Sequence, residues 1–292
     1  MATLVRPRSP KEIPVIAAAG PSDDLLSVGR ATILDQFTAH GVILFRSFSM
    51  GIDTFQALVA AYSSQRIAYP GRQRSAVSRD GRVQTVTAGT KPIPLHSELS
   101  HTPFRPDICW FYCVRAPEAG SQTTLCDGAE LAAALPRPVC DRLEGRLLRY
   151  RRTRPIGYLA RILGTTDTAG LREFLTRSYG QYYRIDGDQV RQDFRTPALP
   201  YPKFLDAPVF ANNIIHNFRR GRLLRYPTFG DGSVIPESLI IQIRDIARRC
   251  TVEVRWRDGD LLMFDNTRFM HGRRAIADPH RTIWTQFSDA AF

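Results

Sequence analysis

The end of the chain constrains its fold most. From Thr251 onward, TVEVRW, RDGD, LLMFDN, FMHGRRAI, ADPH and RTIWTQF follow one another as strand and turn with little between them. Short apolar or alternating runs broken by Asp, Gly, Asn and Pro read as strands, and their backbone groups need partners across a sheet. The Asp-Gly of RDGD predicts a hairpin. Further strands are predicted at HGVILFRSF (40–48), GRVQTVTAG, ICWFYCVRAP (108–117) and GSQTTLCDG (120–128). Helices are predicted beside them. Phe55, Leu58, Val59 and Tyr62 share one face, with Asp53 as the N-cap. AELAAALPRPV is closed by prolines, and Leu239, Ile240, Ile243, Ile246 and Ala247 form an apolar stripe. Residues 137–230 are less regular, with a helical fragment near 168–178. The pattern predicts a mainly β fold with flanking helices, a β-sandwich or jelly roll.

Composition narrows the function classes. No stretch approaches the roughly 20 apolar residues of a membrane span. The N-terminal apolar run is interrupted by Pro10, Lys11, Glu12 and Pro14, against a signal peptide, so a cytoplasmic protein is expected. The five cysteines form no CxxC pair and read as reduced core thiols. A net charge of +12 would attract nucleic acid or an acidic protein surface. Yet Lys11, Lys91 and Lys203 are the only lysines, and an Arg bias of this kind follows from a GC-rich genome without selection for nucleic acid. Arginine still supplies forked donors for carboxylate or phosphate, so an anionic substrate or an acidic carrier protein stays open.

The chain has six histidines, and two of them flank a glutamate in PLHSELSH (94–101). In an extended strand His96 and Glu98 point to one face, with Cβ atoms roughly 6.5–7 Å apart, and both can reach one ion. His101 then faces the other way, as a loop residue. His271, in MFDNTRFMHGRRAI, offers a third donor. Two imidazoles and one carboxylate on one face of an octahedral ion leave three open positions, the arrangement of oxygen-activating non-haem Fe(II).

These motifs resemble the TauD/TfdA-like family of Fe(II)/2-oxoglutarate oxygenases, in particular its clavaminate synthase-like and SyrP-like members. GVILFRSF, PLHSELSHTPFRPDICWFYCVRAPEAGSQTTLCDG, FGDGSVIP and WRDGDLLMFDNTRFMHGRRAI carry the resemblance. It implies a double-stranded β-helix (jelly roll) core in a single oxygenase domain over 1–292, with an irregular insert or lid at about 137–230. It implies Fe(II) on His96, Glu98 and His271, with 2-oxoglutarate and O₂ as cosubstrates. Thr123, in a Gly-Ser-Gln-Thr version of the family's GGxT segment, and Arg281, ten residues after His271, correspond to the holders of the far carboxylate of 2-oxoglutarate. Arg273 and Arg274 lie too near His271 for that task. Glu98 fills the place that is small in related halogenases, which argues against halogenation.

The implied activity is hydroxylation of an unactivated C–H bond of a small polar metabolite or amino acid, free or carrier-bound, in specialised-metabolite biosynthesis. Desaturation and cyclisation are variant outcomes. A basic nucleic-acid demethylase or binder, and a jelly-roll binding protein without redox chemistry, are the competing classes. His216 reads as a structural histidine, and Asp265 and Asn266 as caps of the turn before His271. Asn212 or Asn213, and Gln84 and Thr85, are candidate pocket residues. FRRGRLLRY (218–226) reads as a solvated face or part of an anion-recognising lid.

Overall fold

The computed structural model describes residues 3–5, 12–20, 23–48, 50–67, 74–219, 222–223 and 227–292. The first part of the chain runs through β1 (Thr3–Val5), β2 (Val15–Ala17), α1 (Arg30–His40), β3 (Val42–Arg46), α2 (Ile52–Ala61), β4 (Ser63–Ile67) and the two-residue β5 (Gln84–Thr85). Then come β6 (Ile93–His96), β7 (Ile108–Arg115), β8 (Thr123–Asp127), α3 (Gly128–Ala134) and α4 (Arg137–Cys140). The insert holds β9 (Leu147–Pro155), α5 (Ile156–Ile162), α6 (Thr168–Tyr179), β10 (Tyr183–Asp186), β11 (Gln189–Pro197), α7 (Ile214–Asn217), the small pair β12 (Phe218–Arg219) and β13 (Arg222–Leu223), and β14 (Thr228–Phe229). The chain closes with α8 (Glu237–Arg249), β15 (Thr251–Val254), β16 (Leu261–Asp265), β17 (Phe269–Arg273) and β18 (Thr282–Ala290).

The larger sheet has the order β1-β2-β3-β16-β7-β18-β4, with β5 on β18; the smaller is β15-β8-β17-β6. Both faces of the larger sheet are covered, which explains why VILF, ICWFYC and LLMF are continuous apolar runs rather than alternating ones. One set of its residues, including Leu44, Phe111 and Phe264, packs between the sheets with Leu125, Val254 and Phe269 of the smaller. The other set, including Ile43, Trp110 and Met263, packs under Ile33 and Phe37 of α1 and Phe55, Leu58 and Val59 of α2. The two facing sheets form the jelly-roll core that the sequence implied.

The RDGD segment is not a hairpin between neighbours. It carries the chain from β15 in one sheet to β16 in the other, and Gly259, at φ +80°, supplies the bend. A Cβ there would sit 2.9 Å from the Phe48 carbonyl oxygen, so the corner needs glycine for space as well. Asp53 lies in the first turn of α2, whose N-cap is Gly51. The stripe predicted on α8 is the buried one.

The segment that reads as irregular contains a four-stranded antiparallel sheet, β10-β11-β9-β14. Leu148, Tyr150 and Phe194 on its inner face join α3 and α8 in a core that also covers Cys126 and Met270 of the smaller jelly-roll sheet. The insert is thereby fixed against the strands that carry Thr123 and His271. Of FRRGRLLRY, Arg220, Gly221 and residues 224–226 lie outside the described residues, as do the side chains of Arg219, Arg222 and Leu223.

Candidate metal and cosubstrate site

His96 ends β6 and His271 lies in the middle of β17, and the two are directly opposite in the antiparallel register. Their ring centroids are 4.2 Å apart. Close approach of the strands is possible because Gly272 follows His271: a Cβ there would meet the Ile93 carbonyl oxygen at 2.6 Å. Between His271 and Arg273 the register slips against Ile93, a bulge that falls beside Pro94 on an edge strand where proline is tolerated.

Glu98 does not share a strand with His96. The strand stops at His96, and Glu98 stands in the following turn, where Leu99 adopts φ +53°. Its carboxylate still reaches the histidines, with Oε2 4.0 Å from Nε2 of each. The turn is shaped from far along the chain. Asn266 Oδ1 accepts from the Glu98 amide at 2.7 Å, and its Nδ2 donates to the Glu98 carbonyl at 3.0 Å and the Pro106 carbonyl at 2.8 Å. Ser97 Oγ donates to the Asn266 carbonyl at 2.8 Å. Asp265 does cap its turn, through Thr267. Asn266 instead positions Glu98, a role its place before Thr267 does not reveal.

This donor set fits a facial metal site. The three ligand atoms lie within 4.8 Å of one another. His96 Nδ1 is 2.9 Å from the Pro94 carbonyl, a contact that places the proton on Nδ1 and turns the Nε2 lone pair, on the side of Glu98, to a metal. Burial holds the His271 pKa well below the ordinary imidazole value, with His96 the next contributor, so the ring is neutral as a ligand must be. Glu98 also receives Arg74 Nη2 at 2.9 Å, and the Arg74 guanidinium lies over the Phe287 ring at 4.9 Å. Arg74 has no spacing signal linking it to HxE, and sequence reasoning missed it.

A cavity of about 690 Å³ opens over His96, Glu98 and His271. Thr123 and Arg281 line it, as do Arg74, Lys91, Arg152 and Arg273, against the single carboxylate of Glu98. Thr123 Oγ1 accepts from Trp256 Nε1 at 3.1 Å, which leaves its own hydroxyl proton to donate. Arg281 donates from Nη1 to the Ser121 carbonyl, and its buried Nε has no hydrogen-bond partner among the described residues. Burial lowers its pKa to about 10, which keeps it a cation at neutral pH. Arg273 faces the same cavity but spends its Nη groups on the carbonyls of Thr87, Gly89 and Lys91. Arg274 points away, to Glu253.

The insert supplies Arg152, Tyr158, Asn213, His216 and Asn217 to the lining. His216 lies tilted against His96, at 4.9 Å between centroids, rather than in a remote core. His101 also faces the cavity, held by Asn213 Nδ2 at 2.9 Å. Asn212 is structural, bonded to Ala198 and capping Ile214, and Gln84 and Thr85 are not part of the lining.

Residues 6–285 match the family described as "Taurine catabolism dioxygenase TauD, TfdA family". The chain belongs to that family, the Fe(II)/2-oxoglutarate-dependent dioxygenase class that its motifs resemble. Among its relatives is a clavaminate synthase-like protein of Arabidopsis thaliana, 26% identical over 265 residues, covering 83% of this chain and 80% of that protein. Another is the dapdiamide synthesis protein DdaC of Enterobacter agglomerans, 24% identical over 276 residues, with 82% and 83% covered. The fold is shared with PvcB of Pseudomonas aeruginosa, at a TM-score of 0.64 and 15% identity over all of this chain and 91% of that one.

Proposed function

We propose that this enzyme binds Fe(II) on His96, Glu98 and His271, holds 2-oxoglutarate with Arg281 and Thr123, and hydroxylates an unactivated C–H bond of a small, amino-acid-like metabolite in specialised-metabolite biosynthesis. The observation that carries the reading is the convergence of a two-imidazole, one-carboxylate set with an under-bonded arginine and a threonine in one cavity. When bound, the metal and 2-oxoglutarate supply oxidative chemistry: O₂ is consumed, 2-oxoglutarate becomes succinate and CO₂, and the second oxygen atom enters the substrate C–H bond.

The protein's share is placement. Arg281 offers a forked cation to a carboxylate, and Thr123 adds a hydroxyl donor held by Trp256. Asn266 fixes the turn that presents Glu98. On the insert, the buried Asn213 Oδ1 has no hydrogen-bond partner among the described residues and suits a substrate N–H, and Arg152 suits a carboxylate. That pair supports an amino-acid-like substrate. The segment at about 137–230 would serve as the lid of a single domain. DdaC is named for dapdiamide synthesis, and PvcB is described as an Fe, α-ketoglutarate dependent oxygenase from an isonitrile synthetic pathway; both support a biosynthetic role. All five cysteines are free thiols, which supports a cytoplasmic setting.

Anaerobic addition of Fe(II) and then 2-oxoglutarate tests the reading. A weak visible charge-transfer band requiring both additions is expected in the wild type, absent in Glu98→Ala and weakened in Arg281→Ala. Folded, metal-loaded protein without the band would sink the assignment. Succinate release then screens substrates, and product mass distinguishes hydroxylation from desaturation or cyclisation.

A further inference from the structure

The insert sheet turns its outer face to solvent, and that face is built of arginine. Arg149 and Arg151 of β9, Arg191 and Arg195 of β11 and Arg184 of β10 point outward, alternating with the buried residues of each strand. Two pairs stand directly opposite in the ladder, Arg195 with Arg149 and Arg184 with Arg191. Like charges in that relation destabilise a sheet. Among the described residues two carboxylates answer on this face: Asp193 pairs with Arg149 and, at 3.9 Å, with Arg195, and Asp186 pairs with Arg191 at 3.1 Å. A codon bias raises the number of arginines but does not place them in register on one face.

The face borders a concavity of about 1310 Å³. Arg152, Arg154 and Gln192 line both this concavity and a small cavity behind it. Arg152, Tyr158 and His101 line both that small cavity and the metal cavity. Arg152 therefore borders all three.

We propose that the outer face of β9, β10 and β11 docks an acidic helix of a carrier protein that presents a tethered substrate to the cavity over the metal. The proposal rests on the oxygenase reading of the cavity and names the partner that delivers its substrate. The arginines spread over roughly 13 Å along the strands and about 10 Å across them. Asp186 and Asp193 lie among them, so the guanidinium groups do not converge on a single point. Such spacing matches separate carboxylates on a helix better than one compact polyphosphate.

The test uses the full-length enzyme and an acidic carrier domain bearing an aminoacyl thioester on its phosphopantetheine arm, at about 50 mM and about 300 mM salt. Binding is expected at low salt and should fall at high salt. The double reversal Arg151→Glu/Arg195→Glu should weaken it by about tenfold or more. Arg248→Glu/Arg249→Glu, at the end of α8, should leave it unchanged. The milder Arg151→Gln/Arg195→Gln should fall between, which guards against misfolding. The Fe(II)/2-oxoglutarate band should persist in every variant, so a failure of the oxygenase reading shows separately as its loss. A wild type that ignores the carrier, or reversals that bind like the wild type, would overturn the proposal. Binding of free coenzyme A in place of the carrier, lost in the same reversals, would overturn it in favour of a nucleotide-phosphate ligand.

Discussion

Asn266 grips Glu98 by both backbone polar groups, accepting from its amide at 2.7 Å and donating to its carbonyl at 3.0 Å. The two residues are 168 positions apart, and both are buried. An Asn266→Ala protein leaves the Glu98 amide and the Glu98 and Pro106 carbonyls without this partner, at a cost of about 2–4 kcal/mol. Metal affinity should fall by about 10–100-fold because the carboxylate loses its support. Denaturant midpoints and Co(II) titration check the two effects; unchanged Co(II) affinity would refute the positioning role.

Arg281 and Thr123 should act on the cosubstrate alone. Arg281→Ala is expected to raise the KM for 2-oxoglutarate by about 100-fold or more, because a bidentate charged pair inside a cavity is lost. Thr123→Val should cost about tenfold, the value of one neutral hydrogen bond. Metal affinity should hold in both variants, since neither side chain is a ligand. A 2-oxoglutarate titration of the metal-loaded proteins separates these outcomes.

Asp265 gives the fold a pH dependence of definite sign. Burial raises its pKa from 3.8 to about 6, and its Oδ2 has no hydrogen-bond partner among the described residues. Between about pH 4 and pH 6 the folded protein keeps this proton while the unfolded chain releases it. This contribution to stability is therefore present below about pH 4 and is lost as pH rises through about 6, by up to about 3 kcal/mol. Asp265→Asn keeps the Oδ1 bonds to Thr267 and removes the charge. It should be more stable than the wild type above pH 6, with the gap closing near pH 4, in urea melts across that range.

Gly272 sets how closely β6 approaches β17. A methyl group there meets the Ile93 carbonyl oxygen at 2.6 Å and Thr124 Oγ1 at 2.8 Å. Gly272→Ala should cost about 1–3 kcal/mol and move His96 away from His271. Metal affinity should fall although every ligand is intact. Retained affinity would mean that β6 can shift without disturbing the site.

Much of this was legible in the sequence because it depends on local pattern. VILF, ICWFYC and LLMF announced buried strands, and the α8 stripe was visible from its period. His96, Glu98 and His271 stood out because two histidines flanking a glutamate are conspicuous in a chain with six. Glu98 was placed on a strand because the pattern at 94–98 is extended, whereas the turn is imposed by Asn266. Arg74 and the inward-facing His101 depend on tertiary contacts for which spacing gives no sign. The insert sheet was hidden because its outer face is charged and its inner residues are too few per strand to dominate the pattern. RDGD looked like a hairpin because turn chemistry does not reveal which sheet receives the next strand.

The register that sets His96 opposite His271 has a consequence for cohesion. Strand β6 is the outermost of its sheet and, among the described residues, is paired only with β17. An ion shared by the two histidines would cross-link that border strand to the interior, so metal affinity and the closing of the sheet edge draw on the same free energy. Metallation should therefore slow amide exchange along Ile93–His96 more than in β3 or β16, and chelation should release that margin first. Iron would then be a clasp for the strand that presents it, as well as a reagent.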